Sequence, residues 1–289
     1  MTGVVVVGGG IVGLTAGVRL AEAGVDVELW SPVEPAETVS AVAAAVWYPS
    51  RSEPDPRLVT WARAAYQEFA RQAADGVPGV WMLPTVNIAR SEPWWAPATP
   101  GVEIRFTAPA VEMETYLPWL QDRFRAAGGV VVRRAVASFD EVPAGRVVNA
   151  TGLAAGRLCG DSAVFPVRGQ IVLVANPGLT TSIRDEDRSV YIHPRSRDVV
   201  LGGTFEANRW DLTPDPATRL AIVERCVEVV PELAGAPVLG EKVGLRPARH
   251  GGPRVEREGR IVHAYGHGGA GMTLSWGCAD EITRLVDLA

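Results

Sequence analysis

The chain has 289 residues, a formal net charge of -5 and 47% hydrophobic residues, which suits a globular protein of about two domains. An acidic balance is a poor match for nucleic acid or an anionic membrane surface, and the longest strictly apolar run, Ala41 to Tyr48, falls far short of the ~20 residues that span a bilayer. Of the 28 basic residues only Lys242 is a lysine, so no Gly-Lys-Ser/Thr phosphate loop can be built, Schiff-base chemistry has one unsupported candidate, and anions fall to arginine.

The N-terminal MTGVVVVGGG lacks the basic region of a signal peptide, so a cytoplasmic location is expected. Val4 to Val7 reads as a buried parallel strand. Gly8-x-Gly10-Ile11-Val12-Gly13 follows and opens a helix over Leu14 to Ala23, and Val25 to Trp30 forms a second strand. In such a loop the first glycine permits the tight turn, the second lets backbone approach a pyrophosphate, and the third lets helix and strand pack closely. The helix N-terminus adds free N–H groups and a positive dipole end. The carboxylate expected at the end of the second strand is missing: Glu28 comes early and Ser31 stands near its place. That departure weakens a nicotinamide reading more than a flavin one.

Helical spacing of Leu58, Trp61, Ala65, Tyr66 and Phe69 predicts a helix, and a second is expected over Glu112 to Ala127. Strands are expected at Val102–Phe106, Val130–Val132, Arg146–Asn149, Gly169–Ala175 and Val199–Phe205, with a polar loop over Thr180 to Ser189 and a helix over Pro216 to Val229. The three cysteines lie too far apart for a metal knuckle and suggest no disulfide framework; no metal is expected.

The C-terminal stretch is the richest. Ile261 to Ala279 reads as a strand, a turn with four glycines in Gly266–Gly271, and a helix starting at Met272-Thr273. Such a turn exposes backbone groups to something packed against it, and the helix start faces developing negative charge, as on a reduced flavin. On these residues alone a plain glycine turn with a satisfied core histidine fits equally well. Upstream, Pro247 biases Arg246 toward an extended conformation, and an arginine in that apolar stretch needs an anion; Arg249 suits a structural salt bridge better.

Residues 261–279 resemble the D-amino acid oxidase signature at every fixed position. The resemblance spreads over nearly the whole chain through GGGIVGLTAG (8–17), AAAVWYP (43–49), VVNATGLAAG (147–156), RGQIVLV (168–174), YIHP (191–194), LGGTFEANRW (201–210) and GLRPAR (244–249). It implies an α/β (α+β overall) fold: a discontinuous Rossmann-like FAD-binding domain (1–50, 128–170 and 241–289) with an inserted mixed-sheet substrate domain (51–127 and 171–240). It implies that Arg246 and Tyr191 bind the substrate carboxylate and that the Gly269 carbonyl accepts from its amine. Around FAD it places Gly8, Gly10, Ile11, Val12, Gly13, Ser31, Ala43, Ala44, Val46, Trp47 and Val136, together with Gly268, Gly269, Gly271, Met272 and Thr273. Tyr48 and His193 would face the substrate side chain.

The activity implied is oxidative deamination of a D-amino acid: hydride passes from Cα to the flavin, and dioxygen yields hydrogen peroxide beside a 2-oxo acid and ammonia. A glycine/sarcosine-type amine oxidase and a D-aspartate oxidase are the alternatives, and a homodimer is left open. Three features depart from the family pattern. His193 stands where an aliphatic wall residue is common, and Tyr48 where an amide is common in some members. Asp187 occupies the place of a lid tyrosine, and the chain is short. Arg184 and Arg188 read as solvated loop residues, while Arg51 and His193 would favour acidic substrates if they reached the pocket.

Overall fold

The computed structural model describes residues 3–49, 55–89, 102–185 and 187–286. Its elements run β1 (Val4–Val7), α1 (Ile11–Glu22), β2 (Val27–Ser31), α2 (Pro56–Ala74), β3 (Val80–Ala89), β4 (Val102–Val111), α3 (Met113–Ala126), β5 (Val130–Arg133), β6 (Arg146–Asn149) and α4 (Ala154–Leu158). They continue with β7 (Val164–Val174), β8 (Ser182–Asp185), β9 (Val190–Pro194), β10 (Val199–Gly202), β11 (Glu206–Ala207), α5 (Pro216–Val229), β12 (Val238–Arg249), β13 (Arg254–Glu258), β14 (Ile261–Tyr265) and α6 (Gly271–Val286).

Two sheets result. The first has the order β13-β14-β6-β1-β2-β5, parallel throughout except for the β13–β14 hairpin. The four valines of β1 are all buried, as a strand covered on both faces requires. The second has the order β11-β7-β10-β9-β8-β3-β4, with β12 also on β7; its pairs are antiparallel apart from β3–β8.

Helices α2 and α5 begin alike. Asp55 and Asp215 accept from the amides of Arg57 (2.9 Å) and Ala217 (3.1 Å), and a proline takes the first helical position, where its missing N–H is no loss. Two close crossings tie the helices of the first unit together. A Cβ on Gly17 would lie 3.2 Å from the ring of Phe124, and a Cβ on Gly277 would lie 2.3 Å from Cα of Trp61. No helix among the described residues is long and apolar enough to cross a membrane.

The partition of the chain differs from the expected one in three places. Leu58, Trp61 and Phe69 of α2 and Met113, Leu120 and Phe124 of α3 share one buried cluster with Val4, Leu14 and Leu29. Two helices from the segment 51–127 therefore complete the core of the first sheet. Strand β12 joins the second sheet along its length although 241–289 was expected with the cofactor part, and β7 runs through the expected boundary at 170/171. An apolar helical stripe shows that a helix is covered on one face without showing which sheet covers it. The polar stretch 180–189 also contains strand β8, on whose far side β9 pairs. Arg51 and Asp287–Ala289 lie outside the described residues.

Candidate active site

A cavity of about 1470 Å³ runs from the β1–α1 turn to the face of the second sheet. At its first end Gly8 has φ 124° and a Cβ there would lie 2.2 Å from the Ala150 carbonyl oxygen, while a Cβ on Gly13 would lie 1.9 Å from that of Gly8. Both positions thus need glycine on steric grounds. Gly10 begins α1 with no side-chain cap. The hydroxyl of Ser40, a residue outside the sequence-based set, accepts from the Ile11 amide at 3.0 Å. The remaining N–H groups of this turn are where an anionic group would lodge.

Gly8, Gly10, Ile11, Val12, Ser31, Ala43, Ala44, Val46 and Val136 all line the cavity. Gly13 does not; it acts through the Gly8 contact. Trp47 is also away from the wall. Its indole N–H donates to the Ala62 carbonyl at 2.9 Å, and its ring meets Tyr66 edge-on, so it anchors the 43–49 segment to α2. Glu28 accepts from the indole of Trp30 at 2.7 Å, and the Ser31 hydroxyl donates to the Val33 carbonyl at 2.7 Å. The strand that usually offers a ribose-binding carboxylate offers none at its end.

The 266–271 turn closes the middle of the cavity, with Gly268, Gly269, Gly271, Met272 and Thr273 on the wall. Gly266 and Gly268 have positive φ (83° and 55°). Thr273 receives the Tyr48 amide (3.3 Å) and donates to its carbonyl (3.1 Å), joining the start of α6 to the 43–49 segment. His267 is buried on this wall, its Nε2 without a hydrogen-bond partner among the described residues, and burial brings its pKa down to about 4. A buried polar atom without a partner is uncommon in a folded chain.

His263 has partners, contacting Asn149 (3.3 Å) and Glu258 (3.2 Å), and so serves the strand. Arg249 pairs with Asp161 at 2.8 Å, as a structural bridge, and the Tyr265 hydroxyl donates to the same carboxylate at 2.8 Å.

The second sheet supplies the far wall. Arg246, half-buried on β12, donates to the Thr204 carbonyl at 2.9 Å and has no acidic partner among the described residues. Its stem lies against Gly269. Tyr191 on β9 stacks on His193 with centroids 5.0 Å apart. His193 is buried and bonds Ser182 at 2.7 Å; burial, helped by the charge of Arg184, holds its pKa well below the usual range.

Arg184 is not a solvated loop residue. It pairs opposite Tyr191 on β8, reaches the cavity, and places its guanidinium 3.9 Å from the centre of the Tyr48 ring. Arg188 pairs with Asp185 and does not itself line the cavity, whereas Asp185 and Asp187 do. The structure thus gathers Arg246, Tyr191, Gly269, Tyr48 and His193 around one space.

Comparison with known proteins follows this geometry. A family model described as FAD dependent oxidoreductase matches residues 3–112 and 88–285. The chain belongs to that family. A D-amino-acid oxidase of Rubrobacter xylanophilus is 44% identical over 315 residues, covering 99% of this chain and 96% of the relative. One of Streptomyces coelicolor is 46% identical, covering 98% and 96%. Human D-aspartate oxidase is 34% identical, covering 98% and 94%. Among solved structures, a glycine oxidase from Bacillus cereus shares the fold with a TM-score of 0.83 at 20% identity, covering 99% of this chain and 97% of that one.

The residues present fit FAD. The turn at Gly8–Gly13 has room only for backbone, the cavity exceeds the ~300–1,000 Å³ of ordinary ligand pockets, and His267 on its wall leaves a buried Nε2 without a partner among the described residues. The family's cofactor is FAD. Gly8, Gly10, Ile11 and Val12 would hold its pyrophosphate, and Gly268 to Thr273 its flavin ring.

Proposed function

We propose that this chain oxidises D-amino acids with FAD and dioxygen, releasing a 2-oxo acid, ammonia and hydrogen peroxide. The observation that carries the reading is Arg246, a half-buried guanidinium on the cavity wall without a carboxylate partner among the described residues, set beside Gly269 and on the same sheet as Tyr191. An arginine so placed takes a carboxylate through its fork. The Tyr191 hydroxyl donates to that carboxylate, and the Gly269 carbonyl accepts from the amine, so three groups fix the α-carbon in one orientation. When bound, FAD supplies the two-electron acceptor for the substrate Cα–H and passes the electrons to dioxygen. The chain itself adds the positive end of α6 near the turn that would face the flavin. Tyr48, Arg184 and His193 meet the substrate side chain. The choice of D over L substrates rests on the 44% and 46% identical relatives.

The test is peroxide production by FAD-loaded protein from D-alanine, D-aspartate, L-alanine, glycine and sarcosine side by side. D-amino acids should be preferred. Arg246→Ala should lower kcat/KM by a factor of hundreds, since breaking a buried charge pair costs on the order of 3–5 kcal/mol, while FAD content stays unchanged. Oxidation of glycine and sarcosine alone, or near-normal turnover of D-alanine by the variant, would overturn the proposal.

A further inference from the structure

None of Gly169, Gly202 and Gly203 has a positive φ. Gly169 lies within β7 and Gly202 ends β10, and glycine in a strand is destabilising by roughly 0.5–1 kcal/mol relative to alanine, so its presence calls for a close approach by another group. A Cβ on Gly169 would lie 2.3 Å from Nη1, 2.4 Å from Cζ and 2.4 Å from Nη2 of Arg246; the guanidinium occupies the place of the missing side chain. A Cβ on Gly202 would lie 1.9 Å from Cζ of Tyr191, and one on Gly203 would lie 2.7 Å from its hydroxyl oxygen.

The four strands concerned are neighbours in the order β12, β7, β10, β9. The residue that follows the two glycines, Thr204, presents its carbonyl to Arg246 at 2.9 Å, and its hydroxyl accepts from the Gln170 amide at 3.0 Å. One short stretch, 202–204, therefore touches both groups assigned to the carboxylate, and Gly169 touches one of them from the other side.

We infer that Gly169, Gly202 and Gly203 are positioning residues, forming a socket that sets the Arg246 guanidinium and the Tyr191 phenol at the spacing a substrate carboxylate needs. The inference rests on the carboxylate-binding assignment of Arg246 and Tyr191 made above. It has a consequence that a purely structural glycine lacks. At Gly169 the crowded atoms are the far end of a flexible side chain. An added methyl would be accommodated by swinging the guanidinium away, with the strands left in place.

The experiment uses FAD-loaded protein and the variants Gly169→Ala, Arg246→Gln and the double variant, with benzoate as a carboxylate probe read by the absorbance of bound flavin. Gly169→Ala should keep its thermal midpoint and FAD content, while KM for D-alanine and the benzoate Kd rise about ten-fold or more, the loss expected when a charge-assisted hydrogen bond is displaced. In the Arg246→Gln background the same methyl should change neither constant further, because the shorter side chain does not reach the crowded place. Gly203→Ala, which presses on the phenol, should raise the same two constants.

Unchanged KM and benzoate affinity in Gly169→Ala would overturn the inference, as would a loss of affinity that comes with a lowered midpoint and lost FAD. A wild-type protein inert toward every D-amino acid and blind to benzoate would remove the reading beneath it instead.

Discussion

Replacing Gly13 by alanine separates the two roles of the glycine loop. The new methyl would lie 1.9 Å from the Gly8 carbonyl oxygen and 3.3 Å from Cβ of Ala150. Carbon and oxygen approach to about 3.3 Å at closest, so the start of α1 and the end of β1 must part by about 1.4 Å. The nearest obstacle is backbone, which cannot swing aside as a side-chain tip does. Overpacking of this kind costs about 1–3 kcal/mol, and it falls on the turn whose amides face the cavity, so FAD affinity should drop by a factor between about five and a hundred or more. The assay is titration of the apoprotein with FAD by fluorescence, beside the FAD content of the purified variant. Gly240→Ala is the control, since nothing lies within 4 Å of its Cβ position and its φ is not positive. A Gly13→Ala protein that retains full FAD with the wild-type Kd would refute the reasoning.

Two further outcomes follow from the buried and paired groups. Burial disfavours ionisation of Asp161, but hydrogen bonds from Arg249 and Tyr265 outweigh it and hold its pKa at about 2. Because the folded value lies below the unfolded one of about 3.9, the stabilisation is complete above about pH 4 and lost as pH falls toward 2. The gap in thermal midpoint between wild type and Asp161→Asn should therefore be wide at neutral pH and narrow in acid; a gap independent of pH would contradict the pairing. Burial also pushes the Cys226 thiol up to about 12 and raises Cys278 and Cys159. Native protein treated with a thiol reagent at neutral pH should react at most once and slowly, at half-buried Cys159, and three times after unfolding. Rapid reaction of two or more thiols in the native state would show that the α5 or α6 packing is wrong.

The glycine loop and the 261–279 stretch were legible in sequence because their constraints are local: a tight turn, a close approach and a helix start each leave glycine at a fixed spacing. Arg246 stood out for the same reason, through its neighbour Pro247. What makes the far wall is register, which a linear reading does not contain. Arg184 looked like loop until pairing with Tyr191 put it on the cavity wall. Ser40 meets the Ile11 amide across 29 residues of sequence. Gly169 and Gly202 appeared only as strand residues, since the side chains that fill their places come from partner strands. The misplaced boundaries have a related cause: α2 and α3 carry ordinary amphipathic stripes, and their contacts with α1 and α6 are long-range.

Residues 7–12 and most of 264–273 both line the cavity, and they meet because β1 and β14 both flank β6. Closing a loop of that length is slow, since its entropy is lost before any contact compensates. A ligand that touches both segments favours only the chain in which they have already met. FAD should thus act as a late clasp, with little affinity for partly folded chains and a strong hold on finished ones. Flavin-free protein should accordingly be cut by proteases more readily than the loaded form.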